Sequence, residues 1–273
     1  YRDEIAFCVA HLSPQYLTSR YAYPELLEEN ARLIYENDEF LDYVEVIEKK
    51  DAVEGDYTTT RYRTLKNAID TAYFEIPKEI YYWYLVYPKI TDEIPAYIDP
   101  AKGEYDAVYY SGLRDKNIVA PGEGYFWRDY LFNHKDAGYV TLKSRLENCK
   151  VLWNGLKGLR GTDDHAIALI DRWIGSVMEF TSYVERPHQP IRIYHRHVGR
   201  CGEHADLRSA AARTCLIPSN SIATMSTDHT WNEFWHDDWD ENKNKEWIHW
   251  DGDGAINDFL VYERDWGKVL GSV

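Results

Sequence analysis

Cys201, His229 and Asp251 are the residues whose types and order could do covalent chemistry. A thiol is a useful nucleophile only as the thiolate, and the first turn of a helix favours that form through its unpaired backbone N–H groups and its dipole. Gly199-Arg200-Cys201-Gly202 opens an Ala-rich run that closes at Pro218, which predicts a helix starting beside the thiol. The flanking glycines permit a tight turn into that helix and the close approach of a substrate backbone. His229 lies in Asp228-His229-Thr230-Trp231, and Asp251 closes Trp247-Ile248-His249-Trp250-Asp251. Together they would supply a thiolate, an imidazolium and an acceptor that fixes the imidazole tautomer, which is the logic of an activated nucleophile. Taken singly, each has an ordinary alternative: a lone cysteine as a buried apolar group, a strand-end His or Asp as a solvated or capping one.

The elements that must position this set are helices and short strands. Ile167, Ile170, Trp173, Ile174, Val177 and Met178 fall on one face of a helix expected from His165 to about Tyr183. Strands are expected at Ser221 to Ser226, His229 to Trp235 and Lys245 to Asp251. The last two would form an antiparallel pair joined by the polar loop from Asp237 to Asn244, with His229 and Asp251 at its outer ends. Helix, helix, then antiparallel strands is an α+β arrangement.

The run Gly199 to Leu207, Ile217-Pro218 after the helix, His229-Thr230-Trp231 and Trp247 through Asp251 together resemble the transglutaminase-like superfamily over about residues 165 to 255. The resemblance implies a papain-like core in which Cys201 is the nucleophile, His229 the histidine of the His-x-Trp strand and Asp251 the aspartate closing the Trp-containing strand. It implies attack on an amide carbonyl through a thioester, with the acyl group passed to water or to an amine. Where the family usually has Gly before Ile-Pro, this chain has Cys215-Leu216, a departure that bears on helix-end geometry more than on chemistry. The oxyanion would be held by the Cys201 backbone N–H and a second donor, for which Trp153, Asn154 and Trp173 are all candidates.

Residues 1–160 read as a mixed, mainly helical N-terminal extension, 161–255 as the catalytic core and 256–273 as a tail leading to a further domain. Helices are expected at Pro24 to Asn37 and Arg63 to Phe74, the second stopped by Ile76-Pro77. Ile80 to Tyr87 is too aromatic to assign, and the Pro- and Gly-punctuated stretch from Pro88 to Gly124 reads as irregular. Gly155 to Asp164 reads as a connection, with Asp163 or Asp164 capping the helix that follows. Ile76 to Ile80 and Trp127-Arg128 are similar to an extension seen in some microbial members of the superfamily. The start at Tyr1, with no basic-then-apolar leader, reads as a processed or trimmed form.

The net charge of −15, from 46 acidic and 31 basic side chains, would repel nucleic acid and anionic membrane surfaces. The longest apolar or aromatic run, Ile80 to Tyr87, is far below the roughly 20 residues a membrane-spanning helix needs. The partners expected are therefore protein, peptide or other amide-containing substrates, with no nucleic acid and no membrane insertion. The 23 Tyr and 10 Trp could also line a saccharide or peptide groove, although aromatic residues are first of all packing groups.

Cys8, Cys149, Cys201 and Cys215 are too few for a disulfide scaffold and lack zinc-site spacing. A Cys8–Cys149 bridge stays open, whereas Cys201 and Cys215 on one helix would lie on the order of 20 Å apart, beyond disulfide reach. His204, three residues after Cys201, is a rival base, and His195, His197, His204 and His229 lack fixed ligand spacing, so no metal is assigned. Asp238, Asp240, Asn242 and Asn244 are reminiscent of a calcium loop but lack its turn glycine and terminal Glu, with Asp251-Gly252-Asp253-Gly254 as a second contributor to such a site. No cofactor is expected, with calcium as the minor alternative. The reading is cysteine-dependent acyl transfer at amide bonds, hydrolysis rather than cross-linking, because nothing marks an amine site. The contrasting class is a non-catalytic binding or structural module with the same fold.

Overall fold

The computed structural model describes residues 1–53, 55–104, 116–224, 228–237, 247–252 and 254–258, with the backbone alone of 270–272. The chain opens with α1 (Arg2–His11), α2 (Pro14–Leu17) and α3 (Pro24–Asp38). Pro24 presets the first helical φ of α3, and Leu26, Leu27, Ala31, Leu33 and Ile34 form its buried stripe. This helix runs one residue past its expected end.

Next come β1 (Val44–Lys49), β2 (Tyr57–Lys66) and β3 (Asp70–Glu75), an antiparallel sheet in the order β1-β2-β3. The helix expected at Arg63 to Phe74 is absent: Lys66 pairs with Asp70 across a turn in which Asn67 and Ala68 have φ of 51° and 63°. Leu65, Ala68, Ile69 and Ala72 have helical spacing, but Ile69 is 80% exposed and no helical face forms. β-branched Thr58, Thr59, Thr60 and Thr64, with Tyr62, are buried along β2 instead, and tertiary packing overrides the local period.

α4 (Lys78–Tyr81) runs into a π-helical turn (Tyr82–Val86), which accounts for the aromatic stretch; β4 (Tyr97–Ile98) and β5 (Ile118–Val119) pair within the otherwise irregular segment that follows. Then come α5 (Trp127–Asn133), α6 (Leu142–Leu146), α7 (Ala166–Val177), β6 (Glu179–Phe180), α8 (Pro190–Arg196) and β7 (Val198–Gly199). The last elements are α9 (Cys201–Thr214), β8 (Ser219–Thr224), β9 (Thr230–Trp235), β10 (Trp247–Trp250) and β11 (Leu270–Ser272). The four final strands form one antiparallel sheet in the order β10-β9-β8-β11. The fold is α+β, with helices in the N-terminal region.

α7 ends at Val177, short of Tyr183, because Glu179 and Phe180 pair in parallel with β7. Its N-cap is neither Asp163 nor Asp164 but His165, whose Nδ1 accepts from Ala168 N at 3.2 Å. Asp163 is drawn away by Arg160 N (2.8 Å) and Asn154 Nδ2 (3.2 Å). Burial pushes the His165 ring down to about 4, which keeps it neutral and able to accept.

α9 is the central element. Every residue from Ala205 to Thr214 is buried, with α5, α7 and α8 around it and β8 and β9 beneath. The small side chains of Ala205, Ala210, Ala211 and Ala212 let these neighbours close in. Its terminal carbonyls are capped by side chains from far away in the sequence. Asn37 Nδ2 donates to Thr214 O at 2.9 Å, Tyr43 OH to Cys215 O at 2.7 Å, Tyr62 OH to Leu216 O at 2.5 Å and Arg128 Nη1 to Arg213 O. Leu216, at the family's glycine position, is fully buried in the left-handed region (φ 57°), with Ile217 N bonded back to Ala212 O at 2.8 Å. That is a Schellman-type ending made without glycine.

The four cysteines are free thiols, so there is no Cys8–Cys149 bridge. Cys8 Sγ faces Val86 O, Cys149 Sγ faces Val151 O and Asp164 O, and burial pushes both thiols up to about 12. Asp238, Asp240, Asn242, Asn244 and Asp253 lie outside the described residues, as do Met225 and Ser226 of the first expected strand and Phe259, Leu260, Val261 and Trp266 of the tail. No helix among the described residues is long and apolar enough to cross a membrane.

Arg128 is fully buried; it also donates from Nε to Asn30 Oδ1 at 3.0 Å and from Nη2 to Leu85 O. Arg128→Ala would strand these acceptors and is expected to lower unfolding free energy by on the order of 3 kcal/mol, read from the urea midpoint at constant m-value. Arg128→Lys should recover little, because an ammonium does not reproduce the guanidinium's planar fork.

Candidate active site

Cys201 is the first residue of α9 and is partly exposed. The turn that delivers it is fixed by packing: a Cβ on Gly199 would fall 2.5 Å from Glu203 Cβ, so only glycine fits. Glu203, three residues into the turn, accepts Arg200 N at 2.9 Å and is clamped by Arg186, whose Nη2 lies 3.0 Å from Oε2. Burial alone would raise the Glu203 pKa, but Arg186 and the Arg200 N–H outweigh it and hold the carboxyl below its usual value.

The β9–β10 register sets Trp250 opposite Asn232, which brings His229 and Asp251 to the same end of the strand pair. His229 Nε2 lies 2.7 Å from Asp251 Oδ2, while Asp251 Oδ1 accepts Gly252 N at 2.7 Å. With Nε2 committed, Nδ1 is left for the Cys201 thiol, with which the ring is hydrogen-bonded. The His229 ring also stacks on buried Trp231, with centroids 5.6 Å apart.

The electrostatics follow from this chain of contacts. The hydrogen bond to Asp251, then that to Cys201, raises His229 to about 9. The same His229 contact leads in lowering the Cys201 pKa, assisted by the backbone N–H groups of Thr230 and Gly202, against the opposing effect of burial. Burial pushes Asp251 up, but His229 outweighs it and the net shift is downward. All three shifts run in the direction of thiolate, imidazolium and carboxylate.

These three residues line one cavity of about 650 Å³, which Phe180, His204 and Arg208 also line. His204 shares the cavity, but burial and the charge of Arg208 push its pKa down, and it is His229 that Asp251 orients. His195 and His197 lie elsewhere, paired with Asp136 Oδ2 at 3.1 and 2.9 Å. Among the described residues no group of three or more His, Cys, Asp or Glu side chains is arranged to hold a metal ion.

None of the three oxyanion candidates from the sequence lines the cavity. Trp153 is buried with its indole against Phe234 and His236, Asn154 bonds Asp163 and Leu156 N within its own loop, and Trp173 Nε1 donates to Val140 O at 3.0 Å. The groups found at the thiol, Gly202 N and Thr230 N, are backbone donors that side-chain reasoning passes over. Arg208 was also missed, although its position seven residues after Cys201 places it on the same helix face as Cys201 and His204.

The family model of the transglutaminase-like superfamily matches residues 155–252, the segment that holds this cavity wall. Over those residues the chain is similar to the transglutaminase-like superfamily. The chain is 32% identical over 94 residues to a peptide-N(4)-(N-acetyl-beta-glucosaminyl)asparagine amidase from Arabidopsis thaliana. The match covers 34% of this chain and 12% of that protein, so the chain spans a small part of its relative's length. Among solved structures, a candidate cysteine protease from Cytophaga hutchinsonii overlaps 33% of this chain and 32% of its own, at 19% identity and a TM-score of 0.27.

The His229–Asp251 pair should leave a signature in stability. His229 has its folded pKa raised from 6.5 to about 9, so its contribution is fully present below about pH 6.5 and is lost as pH rises through about 9. Asp251, lowered on folding, contributes above its ordinary value of 3.8 and loses this as pH falls through its folded value. His229→Gln should therefore destabilise by about 2 kcal/mol near pH 6, and the gap in urea midpoint should narrow as pH rises through about 9.

Proposed function

We propose that this chain cleaves amide bonds by cysteine-dependent acyl transfer, with Cys201 as nucleophile, His229 as acid and base, and Asp251 as the residue that orients the ring. The observation that carries the reading is the bridge of His229 between Asp251 and the thiol, at the wall of a substrate-sized cavity. The match of residues 155–252 to the transglutaminase-like superfamily, and similarity to a relative named as an amidase, support it.

In this mechanism the Cys201 thiolate adds to the amide carbonyl carbon, and the negative charge passes to the carbonyl oxygen. The helix-start N–H groups would stabilise that oxygen. As the tetrahedral species collapses, the C–N bond breaks and the His229 imidazolium gives its proton to the departing amine, leaving a thioester. His229, now neutral, takes a proton from water as the water attacks the thioester. The acid leaves, and thiolate and imidazolium are restored. Asp251 keeps its charge throughout and holds the ring in the required tautomer. Water is proposed as the acceptor because Cys201 is partly open to solvent.

The test is the pH dependence of Cys201 alkylation by iodoacetamide. In the native chain the rate should reach its plateau well below pH 8; in His229→Ala the midpoint should move to about 8.5, the value of an unperturbed thiol. Slow labelling of both proteins, rising only near that value, would instead favour a non-catalytic module that keeps the fold. Against a responsive peptide amide, Cys201→Ala should abolish turnover, and Asp251→Asn should reduce kcat by up to about 10⁴-fold.

A further inference from the structure

The cavity has the opposite charge character to the protein around it. The chain carries a net charge of −15, yet the cavity wall holds Arg160, Arg172 and Arg208, and beyond the catalytic residues Asp171 is the one acidic side chain among the described groups that line it. The arginines differ in what they already do. Arg208 is 3% exposed; its Nη1 donates to Asn232 Oδ1 at 3.0 Å and its Nε lies 3.5 Å from Asp171 Oδ1, so part of its charge is offset. Arg172 donates to the carbonyls of Arg160 (3.2 Å) and Asp163, which uses its donors but not its charge.

Arg160 is the exception. Its backbone is pinned on both sides, with its N–H on Asp163 Oδ2 at 2.8 Å and its carbonyl on Arg172, while its guanidinium has no hydrogen-bonded or ion-paired partner among the described residues. A held backbone with an unspent fork of donors at a cavity wall matches a carboxylate in both charge and geometry. Arg186 adds to the field next to the nucleophile: its Nη2 lies 4.0 Å from where a Cβ on Gly202 would stand, although Glu203 balances much of its charge.

We propose that the cavity selects anionic amide substrates, with a carboxylate beside the reacting carbonyl held by Arg160 and the field set by Arg172 and Arg208. This rests on Cys201 being the acyl-accepting nucleophile. It names the substrate class of that site.

Iodoacetate and iodoacetamide present the same reactive carbon with and without a negative charge, so the ratio of their Cys201 alkylation rates in the full chain reads the field without any substrate. At low salt that ratio should exceed the ratio for N-acetylcysteine by about threefold or more and fall toward it at about 0.5 M salt. In Arg160→Glu it should drop by about threefold or more at low salt. Among matched peptide amides, one with Glu beside the scissile bond should exceed its Lys counterpart in kcat/KM by about tenfold, with the preference reversed in Arg160→Glu. A ratio no higher than that of N-acetylcysteine, a ratio that Arg160→Glu leaves in place, or no preference between the Glu and Lys peptides would each overturn the proposal. Slow labelling by iodoacetamide itself is a different failure. It would remove the nucleophile reading, while the ratio would still decide the charge of the cavity.

Discussion

The last carbonyls of α9 lie in the protein interior, where water does not satisfy them, and leaving each one unpaired would cost about 1–3 kcal/mol. Asn37, Tyr43, Tyr62 and Arg128 meet that need one carbonyl at a time, from Arg213 to Leu216. Since Cys201 is the first residue of the same helix, the side chains that finish its C-terminal end also fix where the thiol stands. The first 130 residues are thus tied directly to the position of the candidate nucleophile, although none of those four side chains lines its cavity.

The other end of α9 is held by charge. Glu203 closes the first turn on Arg200 N and is gripped by Arg186, while Gly199 leaves room for Glu203 to pack against the turn. A helix pinned at both ends offers a fixed set of backbone N–H groups to an anion. The raised His229 and the lowered Cys201 are two views of one coupled interaction, and Asp251 draws the proton onto the ring from the far side. The same logic sets the tone of the cavity. Near the candidate nucleophile of this acidic protein stand one buried arginine, Arg208, and two held by hydrogen bonds, Arg172 and Arg186.

Much of this was legible in the sequence where the signal is local. The buried stripe of α3, the start of α9 at Cys201 and the strands on either side of Asp237 all follow from periodicity, capping chemistry and turn residues. The failures are equally specific. Residues 63 to 74 have helical spacing and still form a hairpin, because Tyr62 and Thr64 are buried in the interior, Tyr62 against the end of α9, and an αL turn at Asn67-Ala68 reverses the chain. His165 replaced either aspartate as the cap of α7 because Asp163 had better partners in its own loop. Trp153, Asn154 and Trp173 have suitable donors, but each is spent or buried elsewhere.

By itself the sequence determined the order of Cys201, His229 and Asp251, the helix that begins at the first and the strands that end at the other two. Those properties depend on neighbours within a few residues, which composition and spacing report. Which backbone N–H groups face the thiol, which arginines share its cavity and what satisfies the end of α9 were decided only by the tertiary structure. Those partners stand far apart along the chain, 177 residues from Asn37 to Thr214 and 154 from Tyr62 to Leu216. Periodicity shows which face of an element is buried, but the group across the gap is chosen by packing and by the need to pair every buried polar atom.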